Sequence, residues 1–291
     1  MLVPDQECCF LADIRASQFE APKHEGWLSA KFTLRGRERY SLDKRTIAVD
    51  ENAFLLLNSG QEYSSLIDSQ SAVESLSFFF SPTFVSDTLS ASSSNWESAP
   101  EEKPSGVDSF RFFDQLHFAD ERLLERVFSI RTILESGEGT NLWFSETLAD
   151  LFETILKTNR SVFNEALLVP AVRNSTRLDL YRRIQLAREY IESNYFEPLT
   201  LNDCASAACL SPFRFLRLFR QTLQVTPHQY LIRKRIEQAQ RLLEVSDLDV
   251  AAICLDVGFS SAASFSTLFR ERTGATPTAY RLASRTKKRQ F

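Results

Sequence analysis

Histidine is scarce in this chain: 291 residues carry three, and only His24 and His117 precede residue 160. Those two are far apart and share no motif, whereas a catalytic or structural metal needs clustered His, Cys or carboxylate ligands. No Gly-x-Ser-x-Gly, His-Glu-x-x-His or glycine-rich phosphate loop occurs, so neither catalysis nor a cofactor is expected. The five cysteines are an odd number without metal-ligand spacing. Cys8 and Cys9 are adjacent and too close to bridge without strain, while Cys204, Cys209 and Cys254 lie in apolar patterns. Reduced, buried thiols in a cytoplasmic protein are expected. No apolar run approaches the length of a bilayer, so no membrane partner is expected. The start, MLVPDQECCFLADIR, lacks a basic region followed by an apolar one, so no signal peptide is expected.

An apolar fraction of 43% with 25% charged residues describes a globular chain, long enough for two domains with separate cores. Its charge is divided unevenly. From Arg173 onward there are 19 Lys+Arg against 11 Asp+Glu, a net +8, and the remainder has 15 against 27, a net −12. Such a split suits an acidic domain joined to one that binds a polyanion.

Between about 25 and 81, segments such as Trp27–Leu34, Arg45–Val49, Ala53–Leu57 and Val73–Phe80 are rich in aromatic and aliphatic residues. Turn signals separate them, which predicts a small barrel or sandwich and not βαβ units. The polar stretch 91–108 reads as a surface loop. From about 119 to 158 the period is helical: Leu123, Leu124, Val127, Ile130 and Leu134 mark one helix, stopped near Gly137. Phe144, Leu148, Leu151 and Ile155 mark the next, either a coiled-coil seam between protomers or a face packed on the chain's own barrel. Residues 159–176 carry a proline and no sustained period, so a linker is expected there, with the first domain at 1–158. The second then spans 177–286, followed by a basic tail at 287–291.

The last third contains an internal repeat. Leu210-Ser211-Pro212-Phe213-Arg214-Phe215, Leu218-Phe219-Arg220, Thr226-Pro227 and Tyr230 match Ser260-Ser261-Ala262-Ala263-Ser264-Phe265, Leu268-Phe269-Arg270, Thr276-Pro277 and Tyr280 at an offset of 50. Cys204 and Cys254 share that offset, so no gap is needed. Each copy predicts a short helix, a tight turn and a second helix capped by Ser211 or Ser261, over 201–223 and 249–273. In the second helices Phe215, Leu218 and Phe219, then Phe265, Leu268 and Phe269, share one face. That plan is a helix-turn-helix, whose second helix enters the major groove of double-stranded DNA. The free face of the first copy offers Phe213, Arg214 and Arg217, with Arg220 and Gln221 further round. Arginine can donate two hydrogen bonds to guanine, so Arg214 or Arg217 suits direct base readout. The second copy offers Ala262, Ala263, Ser264, Ser266 and Thr267, with Arg270 and Arg272 at its far end. Small side chains predict backbone, thymine-methyl and shape readout there. Between the copies, His228–Val245 reads as a rigid helix whose Arg233, Lys234, Arg235 and Arg241 would reach phosphates.

From Leu178 to Ala283 the chain resembles the AraC/XylS family of bacterial transcription regulators. The resemblance rests on Leu210-Ser211-Pro212, Leu218-Phe219-Arg220, Arg235, Ala239, Leu242-Leu243, Ile253, Val257-Gly258-Phe259-Ser260, Phe265, Phe269-Arg270, Gly274, Thr276-Pro277 and Tyr280-Arg281, in the family's order and spacing. It implies base contacts from Phe213 and Arg217, and from Ala262, Ala263 and Thr267, where the family often has longer side chains. Gln224 departs from the family's glycine before Val-Thr-Pro, so either it takes a mildly strained left-handed cap or that helix end differs. The resemblance further implies activation through RNA polymerase, and a cupin-like barrel with trailing helices that senses a small molecule and forms a homodimer. The implied fold is therefore α+β in two domains, barrel first and double helix-turn-helix second. Trp27, Arg37, Arg39, Tyr40 and Tyr63 are candidates for an aromatic-lined effector site. Control by a protein partner is the alternative, and a cupin-type enzyme fused to a DNA-binding domain a remote one.

Overall fold

Alternation in Ser29-Ala30-Lys31-Phe32-Thr33-Leu34 sends Ala30, Phe32 and Leu34 to one face of a strand and Lys31 and Thr33 to the other. In the computed structural model both faces are buried, and this double burial organises the first of two compact units, Met1–Leu167 and Leu168–Phe291. The structure describes residues 9–42, 45–92, 112–113, 115–171 and 173–288. Cys8, most of the expected loop 91–108 and residues 289–291 of the expected tail lie outside them.

The first unit is an antiparallel sheet of β1 (Phe10–Glu25), β2 (Ser29–Arg35), β3 (Arg37–Leu42), β4 (Arg45–Asp50), β5 (Ala53–Leu57), β6 (Glu62–Phe79) and β7 (Leu116–Phe118). Strand order is β4-β3-β6-β2-β5-β7, with β1 on the long β6. One end of β6 pairs with β3, setting Leu42 opposite Tyr63, and the other with β2, setting Phe32 opposite Leu76. That exchange of neighbours along one strand curls the sheet into a nearly closed barrel. Helix α1 (Pro82–Ser92) lies between β6 and β7, and α2 (Glu121–Ser136) and α3 (Asn141–Leu167) follow β7. Asp120 caps α2 by accepting from the Leu123 amide at 2.8 Å, and Gly137 ends it at φ 70°. Ala30, Phe32, Phe54, Leu76 and Phe78 pack against Val127, Ile130, Leu151, Phe152 and Ile155 of these helices. The other face buries Leu42, Ile47, Val49, Leu55 and Leu57 inside the barrel.

Several expectations need correction. The barrel does not begin near residue 25: β1 is a full strand from Phe10, and α1 was not foreseen. As an edge strand β1 is only partly buried and carries few β-branched residues, so its pattern is weak. Residues 159–167 are no linker but the last turns of α3, held by buried Val162 and Ala166. Buried Asn159 interrupts the apolar pattern there, and its side chain accepts from the Phe113 amide at 3.1 Å. Phe144, Leu148, Leu151 and Ile155 all pack on the chain's own barrel core, so the stripe is not an open protomer seam. The four described thiols are free but not uniformly buried: Cys204 and Cys254 are, Cys9 is half-buried and Cys209 exposed.

The second unit is helical: α4 (Asn174–Asn194), α5 (Leu201–Ala207), α6 (Pro212–Leu223), α7 (Pro227–Val245), α8 (Val250–Asp256), α9 (Ala262–Thr273) and α10 (Pro277–Lys288). Lys287 and Lys288 thus belong to a helix and not to a tail. No helix among the described residues is long and apolar enough to cross a membrane.

Candidate nucleic-acid interface

Each helix-turn-helix is built on the same aromatic ladder. Phe215 stands edge-on to Phe219 at 5.3 Å, and Phe219 to Tyr230 at 5.9 Å. Phe265, Phe269 and Tyr280 repeat the ladder at 5.6 and 5.5 Å. Each tyrosine hydroxyl then donates to a glutamate on the helix before its copy: Tyr230 to Glu192 of α4, Tyr280 to Glu244 of α7 at 2.7 Å. The duplication therefore includes the long helices, with α4 standing to α5 and α6 as α7 stands to α8 and α9.

The gapless alignment fails in the turns. Left-handed Cys209 (φ 51°) occupies the place of Gly258 (φ 88°), an offset of 49. The bonds Leu210 N–H to Ala205 O and Phe259 N–H to Cys254 O show the same offset. The second turn therefore holds one residue more, and Cys204 corresponds to Ile253, not to Cys254. The two turns are also secured differently. Arg183 of α4 donates to the Cys209 carbonyl at 3.1 Å while Asp179 accepts from its Nε at 2.9 Å. Gly258 instead lies against backbone: a Cβ there would sit 2.6 Å from the Phe196 carbonyl oxygen.

These turns present α6 and α9. Ser211 and Ser261 are both N-caps, and Ser261 accepts from the Ser264 amide at 3.3 Å. On α6 the buried face is Phe215, Leu218 and Phe219. Phe213 is 79% exposed, and Arg214, Arg217, Arg220 and Gln221 are exposed with it. Ala262, Ala263, Ser264, Thr267 and Arg270 are likewise exposed on α9, with Ser266 half-buried and Arg272 exposed at the far end. Gln224 does take the left-handed cap, at φ 58°, its amide bonding to Arg220 O at 3.0 Å.

The connector α7, 19 residues and so about 28 Å long, is not the solvated basic helix expected. Lys234 is 3% exposed and paired with Glu192 at 2.5 Å. Arg235 is buried and donates to the carbonyls of Tyr195 and Glu197, both at 2.7 Å, closing the end of α4. Arg241 is half-buried, while Arg233 is exposed, lying over the Tyr230 ring at 4.8 Å. Two of the four expected phosphate contacts, Lys234 and Arg235, are thus structural. Arg285 is similarly engaged by Asp247. Arg214, Arg217, Arg220 and Arg270 have no ion pair among the described residues, so their charge is available to an outside anion.

In the barrel, the five expected effector residues do not form one site. Tyr40 and Tyr63 face the interior with rings 6.2 Å apart. Arg39 alternates to the exposed face of β3, with half-buried Arg37 on the same side. Half-buried Trp27 packs edge-on against Phe10. Lys31, not among those five, is 2% exposed and donates to Tyr63 Oη at 3.0 Å. Burial pulls its pKa down to about 7. Burial, together with the carboxylate of Glu38 (1% exposed), raises the pKa of Tyr40 well above the usual phenol value. Glu38 Oε2 and the hydroxyls of Ser29, Thr33 and Ser75 are buried without a hydrogen-bond partner among the described residues. The signal was legible as parity: Ser29, Lys31 and Thr33 alternate with Ala30 and Phe32, so a polar row had to face inward once the apolar row faced the helices.

Residues 204–283 match the helix-turn-helix domain family. Over 174 residues the chain is 26% identical to the probable transcriptional regulator LumQ of Photobacterium leiognathi, covering 60% of this chain and 65% of that one. It is 32% identical to the arabinose operon regulatory protein of Salmonella typhimurium over 151 residues, 51% of this chain and 50% of that one. Among solved structures, the DNA-binding domain of AdpA in complex with a target DNA is 33% identical, with a TM-score of 0.36, and covers 38% of this chain and 98% of that chain. The chain thus spans between 50% and 65% of the length of these two curated relatives.

Proposed function

We propose that the chain is a DNA-binding transcription regulator of the AraC/XylS type, a reading supported by the helix-turn-helix match over residues 204–283 and the likeness to the arabinose operon regulatory protein, and that α6 and α9 read adjacent major-groove segments of one operator. The observation that carries this is the face of α6: an exposed Phe213 and three arginines that no carboxylate engages among the described residues, opposite a fully buried aromatic face. Arg217 and Arg214 supply guanine readout and Phe213 contact to a thymine methyl. Ala262, Ala263, Ser264 and Thr267 let α9 approach closely and read methyl groups and shape, with Arg220 and Arg270 on phosphates. Genome-wide binding-site mapping with wild type and Arg217→Ala tests it. Loss of the specific sites, with about 1–3 kcal/mol of operator affinity, is expected; sites unchanged in the variant would show that α6 is not the reader.

The first unit, in this reading, senses a small molecule and forms a homodimer, and the output is activation through RNA polymerase in the cytoplasm, by binding and not by catalysis. Glu38 Oε2 and the hydroxyls of Ser29, Thr33 and Ser75, buried without a hydrogen-bond partner among the described residues, support a polar effector inside the barrel. A saturable thermal shift of the full chain by one compound from a metabolite panel is expected, abolished by Tyr63→Phe together with Lys31→Met.

A further inference from the structure

We propose that the outer edge of β1, over Ala12–Ala16, joins two copies of this chain, the strands pairing antiparallel about a two-fold axis through Ile14. The inference rests on the homodimer reading and places its contact, which the buried stripe on α3 can no longer supply.

Among the described residues β1 has one strand beside it, β6, so its other edge offers a row of backbone donors and acceptors to a further strand. Folded proteins protect such edges with bulges, prolines and lysines. Here the protection is confined to one half. Both register breaks, between Ala16 and Gln18 and between Ala21 and His24, together with Pro22 and Lys23, lie from residue 16 onward. Phe10–Ala16 runs in unbroken register against Phe79–Val73. This stretch is also complementary to itself. Pairing about Ile14 sets Ala12 opposite Ala16, Ile14 opposite itself, and exposed Asp13 opposite exposed Arg15 of the second copy, twice by symmetry. Arg131 ties α2 to this end of the sheet, bonding Glu74 at 2.6 Å and lying 3.5 Å from Asp13. Phe128, one turn earlier on the same helix face, is 46% exposed. A five-residue edge with one exposed aromatic on the neighbouring helix is a small interface, so dissociation on the order of micromolar is expected.

Sedimentation of the full chain across a wide concentration range tests the contact. A reversible dimer is expected for wild type. Arg15→Asp sets like charges opposite each other at both symmetry-related positions and should weaken the dimer about tenfold. Combining it with Asp13→Arg should restore the dimer, because the exchanged charges again match across the axis. The same exchange leaves both residues mismatched to Glu74 and Arg131 within their own chain, so rescue cannot come from internal ion pairs. Phe128→Ser leaves the strand intact and should weaken the dimer severalfold, which decides the matter if Arg15→Asp does not fold. A dimer that neither variant weakens overturns the β1 contact and spares the dimer reading; a wild-type chain that stays monomeric overturns both.

Discussion

Two kinds of arginine stand within a few turns of each other on α6 and α7, and only their surroundings distinguish them. Arg235 caps carbonyls of the preceding helix, whereas Arg217 meets solvent with no carboxylate in reach among the described residues. Composition counts both as basic, so the net charge of the last third overstates what DNA meets. Lys31 shows the same dependence on place. Its pKa is lowered by burial to about 7, so between there and the usual lysine value near 10.5 the unfolded chain binds the proton that the folded chain has released. Stability therefore rises with pH across that window, by up to about 1.4 kcal/mol per unit, and is least favoured below pH 7. Denaturant titrations from neutral to alkaline pH should show the rise, and Lys31→Met should flatten it; equal slopes would show that the amine is not desolvated in solution.

At the level of elements, the two turns differ in what holds them. Gly258 and Gly274 both have positive φ, but a Cβ at Gly274 meets nothing within 4 Å while one at Gly258 meets the Phe196 backbone. Gly274→Ala should cost about 1 kcal/mol for conformation alone. Gly258→Ala should cost clearly more, upwards of ~2 kcal/mol, because backbone must move as well; thermal melts of both variants compare them. In the first turn, Arg183 acts as a positioning residue through the Cys209 carbonyl. Arg183→Ala should weaken operator binding severalfold at little cost in melting temperature, and Cys209→Gly, which accepts the left-handed conformation freely, should recover part of the loss. A gel-shift series that finds no recovery would argue that Arg183 works elsewhere. How far these elements were legible follows from the period each one keeps. α6 and α9 present one apolar face with capping serines and emerge directly from the pattern. β1 and the end of α3 do not, since an exposed edge alternates weakly and a buried Asn159 interrupts a helical stripe.

For the whole molecule, the uneven charge assigns the polyanion to the second unit, and the same net +8 is carried by residues 168–291. That fragment should bind DNA by itself, more weakly than the full chain, with affinity falling steeply as salt is added. Arg220→Ala should lower the slope of log affinity against log salt by about 1. A folded fragment with no DNA affinity at low salt would remove the double helix-turn-helix from the account of binding.

Sequence by itself determined the features carried by local pattern: the duplicated helix pairs, their buried aromatic faces, their caps and the residues on their free faces. Within each copy those follow from helical period and residue chemistry over a dozen positions, and the duplication from the offset of 50. Only the tertiary structure decided which charges are available. Lys31, Glu38, Lys234 and Arg235 are removed from solvent, and the α3 stripe from any partner, by elements distant in the chain. Burial depends on what packs against a face, and no periodicity within one element records its neighbour.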